Sequence, residues 1–379
     1  MIEYRFASDE HRADIIDFIN YVFSQSARPH DFKALIPKVY ADGRGYSDIH
    51  AIALDGHYVR GVVAQLPQKF SFAGKPLMTG YIGSVSSYKY TRGSGHMIKL
   101  MAMQAEKAEE DGIDIMLLGG QRQRYEYYGY SPCGTAYGYS FIPANIRHAL
   151  KNTDAEGIEF IPFSEACACA IDKAYELYLK QPVTGGRSRE DFALILGTYE
   201  ATPYIIKKDS CILGYVAAFG TESFAELVLS DPSYVKPVIK AWFAKKEPKN
   251  LGVSAASYDI CLNRELASFA EGYRISAATH ARIVNLKNVL DACLTLKAET
   301  TGLSDGRIVL KMDDQKAVCV EVKNSKVSVF ETDEEADITL DRLSMQMYLF
   351  SANRFTVPDI ENKNGWFPLP LHLYSADHF

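Results

Sequence analysis

Apolar residues recur along this chain with two different periods, and the alternation between them marks out its elements. In "RADIIDFINYV", residues 12–22, Ile15, Ile16, Ile19 and Val22 fall three and four apart, the spacing of one helix face. Residues 49–74, "IHAIALDGHYVRGVVAQLPQKFSFAG", read instead as two adjacent strands, with Asp55 and Gly56 as the hairpin signal between them. "KPLMTGYIGSVSS", 75–87, predicts a further strand. In "HMIKLMAMQAEKAEEDG", Met97, Met101, Ala105 and Ala108 line one helix face, and Gly112 stops the helix. "IDIMLLGG", 113–120, is a short buried-strand candidate. The aromatic, turn-rich run 121–142 then leads into another strand. This order of elements predicts a mixed α/β domain ending near residue 145.

The polar run "LKNTDAEG", 150–157, reads as a linker. Helices are expected in 164–180 and 188–199, strands in 201–230, and a helix in "PVIKAWFAKK", 237–246. That order resembles the first domain, but no R-x-x-G turn accompanies it. Beyond about 285 a helix, "LKNVLDACLTL", precedes alternating strand patterns in 306–341, and "LSMQMYLFS" is a second helix. The expected division is 1–147, 148–284 and 285–379. The ending "WFPLPLHLYSADHF" is apolar where chain ends are usually polar and frayed, so it should dock against the body.

Composition narrows the function classes. With 379 residues and 47% hydrophobic content there is chain enough for two or three domain cores. A formal net charge of −6 gives no support for nucleic-acid binding. No apolar run reaches the roughly 18 residues of a membrane span, and no signal segment opens the chain, so a cytoplasmic protein is expected. The seven scattered cysteines form no C-x-x-C pair and read as reduced thiols. Cys167 and Cys169 are expected to be separate packing residues of one helix, because positions two apart do not share a helix face. The nine histidines show no metal-binding spacing, so no metal is expected.

The candidate chemistry sits in "RGSGHM", residues 92–97. One reading is a flexible bend between strand and helix. The other is a phosphate turn: small residues let the backbone approach an anion, Arg92 adds charge, and the first unpaired helix amides point at it. Neither a Walker loop nor G-x-G-x-x-G fits.

A strand, R-G-x-G opening an amphipathic helix, a second strand and a Y-x-x-x-G-Y segment together resemble the acetyl-CoA-dependent N-acetyltransferases of the GNAT superfamily. The family's Q/R-x-x-G-x-G/A motif maps onto Arg92, Gly95 and Met97. The resemblance implies that Arg92, Gly93, Ser94, Gly95, His96 and Met97 bind the coenzyme A pyrophosphate. It also implies that Val85, Ser86 and Ser87 hold the pantetheine arm and thioester, with an amide near Val85 facing the oxyanion. Tyr125 takes the position of the family's general acid; Tyr127, Tyr128 and Tyr130 are expected to pack on the sheet. His96 is expected to be structural or to face the cofactor. The domain order, "ARIVNLKNVLDA" at 281–292 and the terminal phenylalanine resemble the Eis-like (enhanced intracellular survival) group. That resemblance implies tandem GNAT domains of α/β and α+β type, the second degenerate, followed by a sterol-carrier-protein-like domain. It further implies that the Phe379 carboxylate, with an ordinary pKa of roughly 3.5, acts as general base. The implied acceptors are aminoglycosides, polyamine-like amines or lysines, and the implied assembly is a homo-oligomer, often a hexamer in that group. Two other functions fit the sequence: an apolar-ligand-binding protein using the last domain, and a transferase of longer acyl chains.

Overall fold

The structure is a computed structural model and describes residues 2–25, 28–45, 47–313, 315–352 and 365–379. Its strands run β1 (Ile2–Phe6), β2 (His50–Asp55), β3 (Tyr58–Phe72), β4 (Lys75–Ser87), β5 (Ile115–Leu118), β6 (Ser131–Cys133), β7 (Ala136–Phe141) and β8 (Ile158–Pro162). They continue as β9 (Val183–Gly185), β10 (Thr202–Lys208), β11 (Cys211–Phe219), β12 (Ser223–Leu229), β13 (Leu251–Ala256), β14 (Gly272–Ser276) and β15 (Thr279–Ile283). The last four are β16 (Gly306–Met312), β17 (Ala317–Lys323), β18 (Lys326–Thr332) and β19 (Ile338–Leu340).

Three sheets result. The first has the order β1-β2-β3-β4-β5-β15-β6, with β9 added on β3; the second is β14-β7-β13-β12-β11-β10-β8; the third is β18-β17-β16-β19. Asp55 pairs with Tyr58, so the hairpin expected at Asp55-Gly56 forms with a two-residue turn. Within the first sheet β4 and β5 are the parallel pair, and within the second β12 and β13 are. Parallel neighbours need a crossover. The helices His96–Glu110 and Val235–Lys246 supply the two crossovers.

The first two sheets exchange strands. β7 leaves the N-terminal region to lie between β13 and β14, while β15 returns from beyond the second sheet to lie between β5 and β6. Sheet boundaries therefore differ from cuts at 147 and 284. An alternating pattern such as "AYGYSF" tells that a strand forms and which face is apolar, but not which sheet supplies its backbone partners.

The two N-terminal cysteines of the second helical run also differ from expectation. Cys167 and Cys169 are joined by a disulfide. Cys167 is the extended residue preceding the helix Ala168–Tyr178, with ψ 154°, so the face argument that holds inside a helix does not apply to it.

The chain ending is docked, as its apolar composition predicts. Trp366, Leu369 and Leu371 are fully buried in one cluster with Leu290 and Tyr348. Its backbone is held by all three parts of the molecule. Lys297 Nζ donates to the Trp366 and Pro368 carbonyls, each at 2.8 Å. The Thr135 amide donates to Leu371 O, and Tyr258 Oη to His372 O. Lys38 Nζ reaches Ala376 O at 2.7 Å.

The strongest of these ties is ionic. Arg187, its side chain 1% exposed, makes two 2.7 Å bonds to the Asp377 carboxylate and two of 2.9 Å to Glu226. Tyr215 Oη donates to the same Glu226 at 2.6 Å. Removing a buried charge from such a group leaves its partners uncompensated in a low-dielectric interior. Arg187→Met, which strands two carboxylates, should destabilise by about 3–5 kcal/mol or more. Asp377→Asn, which leaves Arg187 paired with Glu226, should cost less. Urea unfolding of the two variants checks the order.

Candidate active site

The first sheet opens where β4 and β5 part. Their pairing covers Thr79–Ile82 against Ile115–Leu118 and stops there. From Gly83 to Ser87 β4 pairs with β3 alone, and its other edge faces the gap. The register against β3 slips by one residue here, since Val62 pairs with Ser86 but Ala64 with Gly83. Ser84 and Val85 thus stand opposite a single residue, and Ser84 has φ 51°. The bulge turns Val85 toward a cavity of about 440 Å³ that it lines with Gly83, Ser84, Gly119, Tyr125, Tyr199 and Phe379. Ser84 is fixed from below: its Oγ lies 2.6 Å from Tyr40 Oη, which lies 2.9 Å from His50 Nε2.

The turn at 92–97 sits where β4 runs on toward the crossover helix. Gly93 and Gly95 have φ of 86° and 79°, a left-handed conformation that glycine adopts without strain. Neither has any atom within 4 Å of the place a Cβ would take, so the turn is open to a ligand. The first i to i−4 bond of the helix runs from Lys99 N to Gly95 O. The amides of His96, Met97 and Ile98 precede it and are unpaired by the helix. Arg92 and Ser94 are exposed, and Arg92 makes no ion pair among the described residues. Open left-handed glycines, free amides at the positive end of a 15-residue helix and an unpaired arginine fit a pyrophosphate. The open edge of β4, with Val85, Ser86 and Ser87, fits an extended pantetheine arm that takes backbone bonds. His96 is buried, with Nδ1 2.8 Å from Tyr4 Oη, which makes its side chain structural.

Tyr125 lies in the short helix Arg122–Glu126 that follows β5. Its ring packs over Gly120, where a Cβ would overlap it. Burial raises its pKa, outweighing the nearby Arg124 charge, so the phenol stays protonated at neutral pH. Tyr130 packs in the core as expected, with its hydroxyl toward Met116 Sδ. Tyr127 does not: it is 71% exposed, because two residues along a helical turn from Tyr125 points it away from the sheet. Cys133 is fully buried, and burial pushes its thiol pKa far up, which leaves it inert. Among the described residues no group of three or more His, Cys, Asp or Glu side chains could hold a metal ion, and no helix is long and apolar enough to cross a membrane.

Phe379 enters the same cavity from the far end of the chain. Its ring is 4% exposed, meets Tyr40 edge-on at 6.0 Å and lies flat against Gly83. His378 stacks on Tyr81 at 4.9 Å, and its Nε2 is 3.0 Å from Leu373 O. Tyr199 Oη donates to the Phe379 main-chain oxygen. Tyr199 belongs to the turn Thr198–Glu200 before β10, at φ 61°, and burial pushes its pKa up to about 12, so it remains a donor. Sequence reading missed Tyr199, Lys38, Arg187 and the pairing role of Asp377. None lies in a motif, and the contacts that tie them to the chain end span 180 to 338 positions. The one legible hint was the apolar, aromatic ending itself.

Residues 3–133 match the family model described as an acetyltransferase (GNAT) domain, so the chain carries such a domain within its first 133 residues. Solved structures carry the fold likeness over nearly the whole chain. A GCN5-related N-acetyltransferase from Anabaena variabilis is 17% identical, with a TM-score of 0.66, over 92% of this chain and 90% of that one. A probable N-acyltransferase from Enterococcus faecalis is 15% identical at TM-score 0.66, over 92% and 90%. Eis1 from Mycobacterium abscessus is 14% identical at 0.62, over 91% and 88%. At these identities the likeness is one of fold. No curated protein matches the chain.

Two outcomes follow from this geometry. Gly83→Ala puts a methyl group into the Phe379 ring, so it should displace the chain end and lower turnover to the level of a protein lacking Phe379. Acetyl-CoA binding, measured by calorimetry, should persist in both. Burial lowers the pKa of His378 to about 4 and of His372 to about 3, against roughly 6.5 in the unfolded chain. The unfolded chain therefore binds more protons between those values, and stability falls as pH drops from about 6.5 toward 4. The His378 share should be roughly 3 kcal/mol by pH 4. His378→Phe, which keeps the stacking on Tyr81, should flatten that fall in thermal unfolding.

Proposed function

We propose that the protein moves an acetyl group from acetyl-CoA to a primary amine, with Tyr125 as general acid and the Phe379 terminal carboxylate as general base. The observation that carries this reading is that Phe379 lines the same buried cavity as Tyr125 and the Val85 bulge. The residues Arg92, Gly93, Ser94, Gly95, His96 and Met97 bind the pyrophosphate through backbone amides and the Arg92 charge. The open edge of Val85, Ser86 and Ser87 aligns the pantetheine arm, and the Val85 amide faces the thioester oxygen as negative charge develops there. The Phe379 carboxylate takes a proton from the substrate ammonium, directly or through one water. The freed amine attacks the thioester carbonyl, the C–S bond breaks, the thiolate takes the Tyr125 proton, and the second proton shed by nitrogen as the amide forms returns to the Tyr125 phenolate. Tyr199 holds the carboxylate in line without titrating near neutral pH.

The finer family reading is Eis-like. In the second sheet the crossover helix follows Asp231 and Pro232, not an Arg-Gly turn. The Asp231 carboxylate accepts from Ser233 N, and Pro232 has no amide to offer. A phosphate would meet negative charge there, which supports a degenerate second acetyltransferase domain. The four-stranded third sheet, with the helix Leu286–Thr301 packed against it, supports a sterol-carrier-protein-like third domain. The whole-length likeness to Eis1 agrees. A homo-oligomer belongs to the same reading. Of the acceptors that family suggests, the multiply charged ones meet no acidic side chain in the described cavity lining.

Thiol release with acetyl-CoA over a panel of primary amines tests the proposal. Tyr125→Phe should lower kcat by about 10²–10⁴-fold with little change in acetyl-CoA affinity. Arg92→Ala should raise KM for acetyl-CoA about tenfold and leave kcat nearly intact. No amine-dependent thiol release and no acetyl-CoA binding would reject it.

A further inference from the structure

The acceptor end of the cavity is built from the last turn of the helix Arg12–Ser24 and from residues after it. Phe23, Phe32, Leu35 and Ile36 give it an apolar, aromatic wall, and Arg28 and His30 stand at its mouth. The lining arginines are Arg28 and, beside Tyr125, Arg124; none of residues 92–97 lines this cavity, so both are separate from the glycine turn. Phe23 meets Phe32 edge-on at 5.0 Å, and His30 stacks near Phe32 at 6.2 Å with 27° between the rings, so this wall is aromatic as well as apolar.

Charge decides what else the acceptor carries. Among the described residues that line the cavity there is no aspartate or glutamate. The single negative group is the Phe379 carboxylate, and the reacting ammonium already uses it. Glu200, the nearby acid, is engaged with Arg28 at 3.4 Å and is 58% exposed. A second ammonium on the acceptor would have no partner and would face Arg28 and Arg124. A polycation therefore suits this wall poorly. A carboxylate on the acceptor would meet Arg28, whose planar fork can take it with two parallel bonds, and would free Glu200 to solvent.

We propose that the acceptor is an aromatic or strongly apolar primary amine that also bears a carboxylate, with the ring on Phe23 and Phe32 and the carboxylate on Arg28. This rests on the acetyl-transfer reading above for the position of the reacting nitrogen. It makes Arg28 a specificity-determining residue that neither turn nor tyrosine motif signals.

The test compares L-phenylalanine and 4-(aminomethyl)benzoate with their carboxylate-free counterparts phenethylamine and benzylamine, and with spermidine and neamine. Thiol release gives kcat/KM, and calorimetry in the presence of coenzyme A gives binding without chemistry. At least one carboxylated amine should exceed its counterpart and both polycations by about tenfold, the size of one charge-assisted pair. Arg28→Ala should erase the advantage over the counterpart, and Arg28→Glu should shift preference toward spermidine. Spermidine or neamine turning over as well as every carboxylated amine would overturn the assignment while keeping the enzyme. So would an advantage that persists in Arg28→Ala. Calorimetric preference for the carboxylated amines that is lost in Arg28→Ala, with no thiol release from any amine, would keep the acceptor class and reject acetyl transfer. Absence of any binding preference would overturn the acceptor class outright.

Discussion

Arg187 carries a guanidinium whose side chain is 1% exposed, in an interior where an unpaired ion would cost several kcal/mol. Glu226, on β12 of the second sheet, neutralises it only in part of its hydrogen-bonding fork; Asp377, two residues from the end of the chain, takes the rest. This constraint ties the last residues to one place. An apolar tail alone could slide or repack at modest cost, since hydrophobic burial is not directional. A bidentate ion pair is directional, and fixing Asp377 leaves Phe379 little choice but the cavity by Gly83.

The same arrangement explains why three sheets serve one site. The first contributes the splayed strands, the Val85 bulge, the glycine turn at 92–97 and Tyr125. The second contributes Arg187's partner Glu226 and, through the turn before β10, Tyr199. The third holds Trp366, Leu369 and Leu371 and so delivers the tail at the right height. Exchange of β7 and β15 between the first two sheets makes their relative position part of the hydrogen-bond ladder. Lys38 fits this picture: burial lowers its pKa to about 7, against the attraction of Asp377, yet charged or neutral it still donates to Ala376 O.

Much of this was legible in residue order because its causes are local. Helix period, hairpin turn and glycine-rich turn depend on neighbours a few positions away, and the helices and strands around 92–118 formed where the pattern predicts them. The Arg-Gly-Ser-Gly turn carried its own explanation in backbone conformation. What could not be read was partnership. The strand exchange, the Arg187 triad and the Tyr199 bond each join residues far apart, and a lone arginine in "GGRS" looks like any turn residue. Cys167 was misjudged for a smaller reason, the placing of a helix start at 164 where the helix begins at Ala168. Tyr127 was misjudged because four tyrosines close together look alike until the helix phase is known.

The proposed transfer reaction depends on the ionised end of the docked chain, and not merely on its packing. Replacing only that charge tests it most directly: a semisynthetic protein ending in a Phe379 carboxamide keeps the ring against Gly83 and an oxygen for Tyr199. Turnover of a responsive amine should fall at least about 100-fold, with acetyl-CoA affinity and melting temperature unchanged. Turnover equal to that of the unmodified protein would contradict the account.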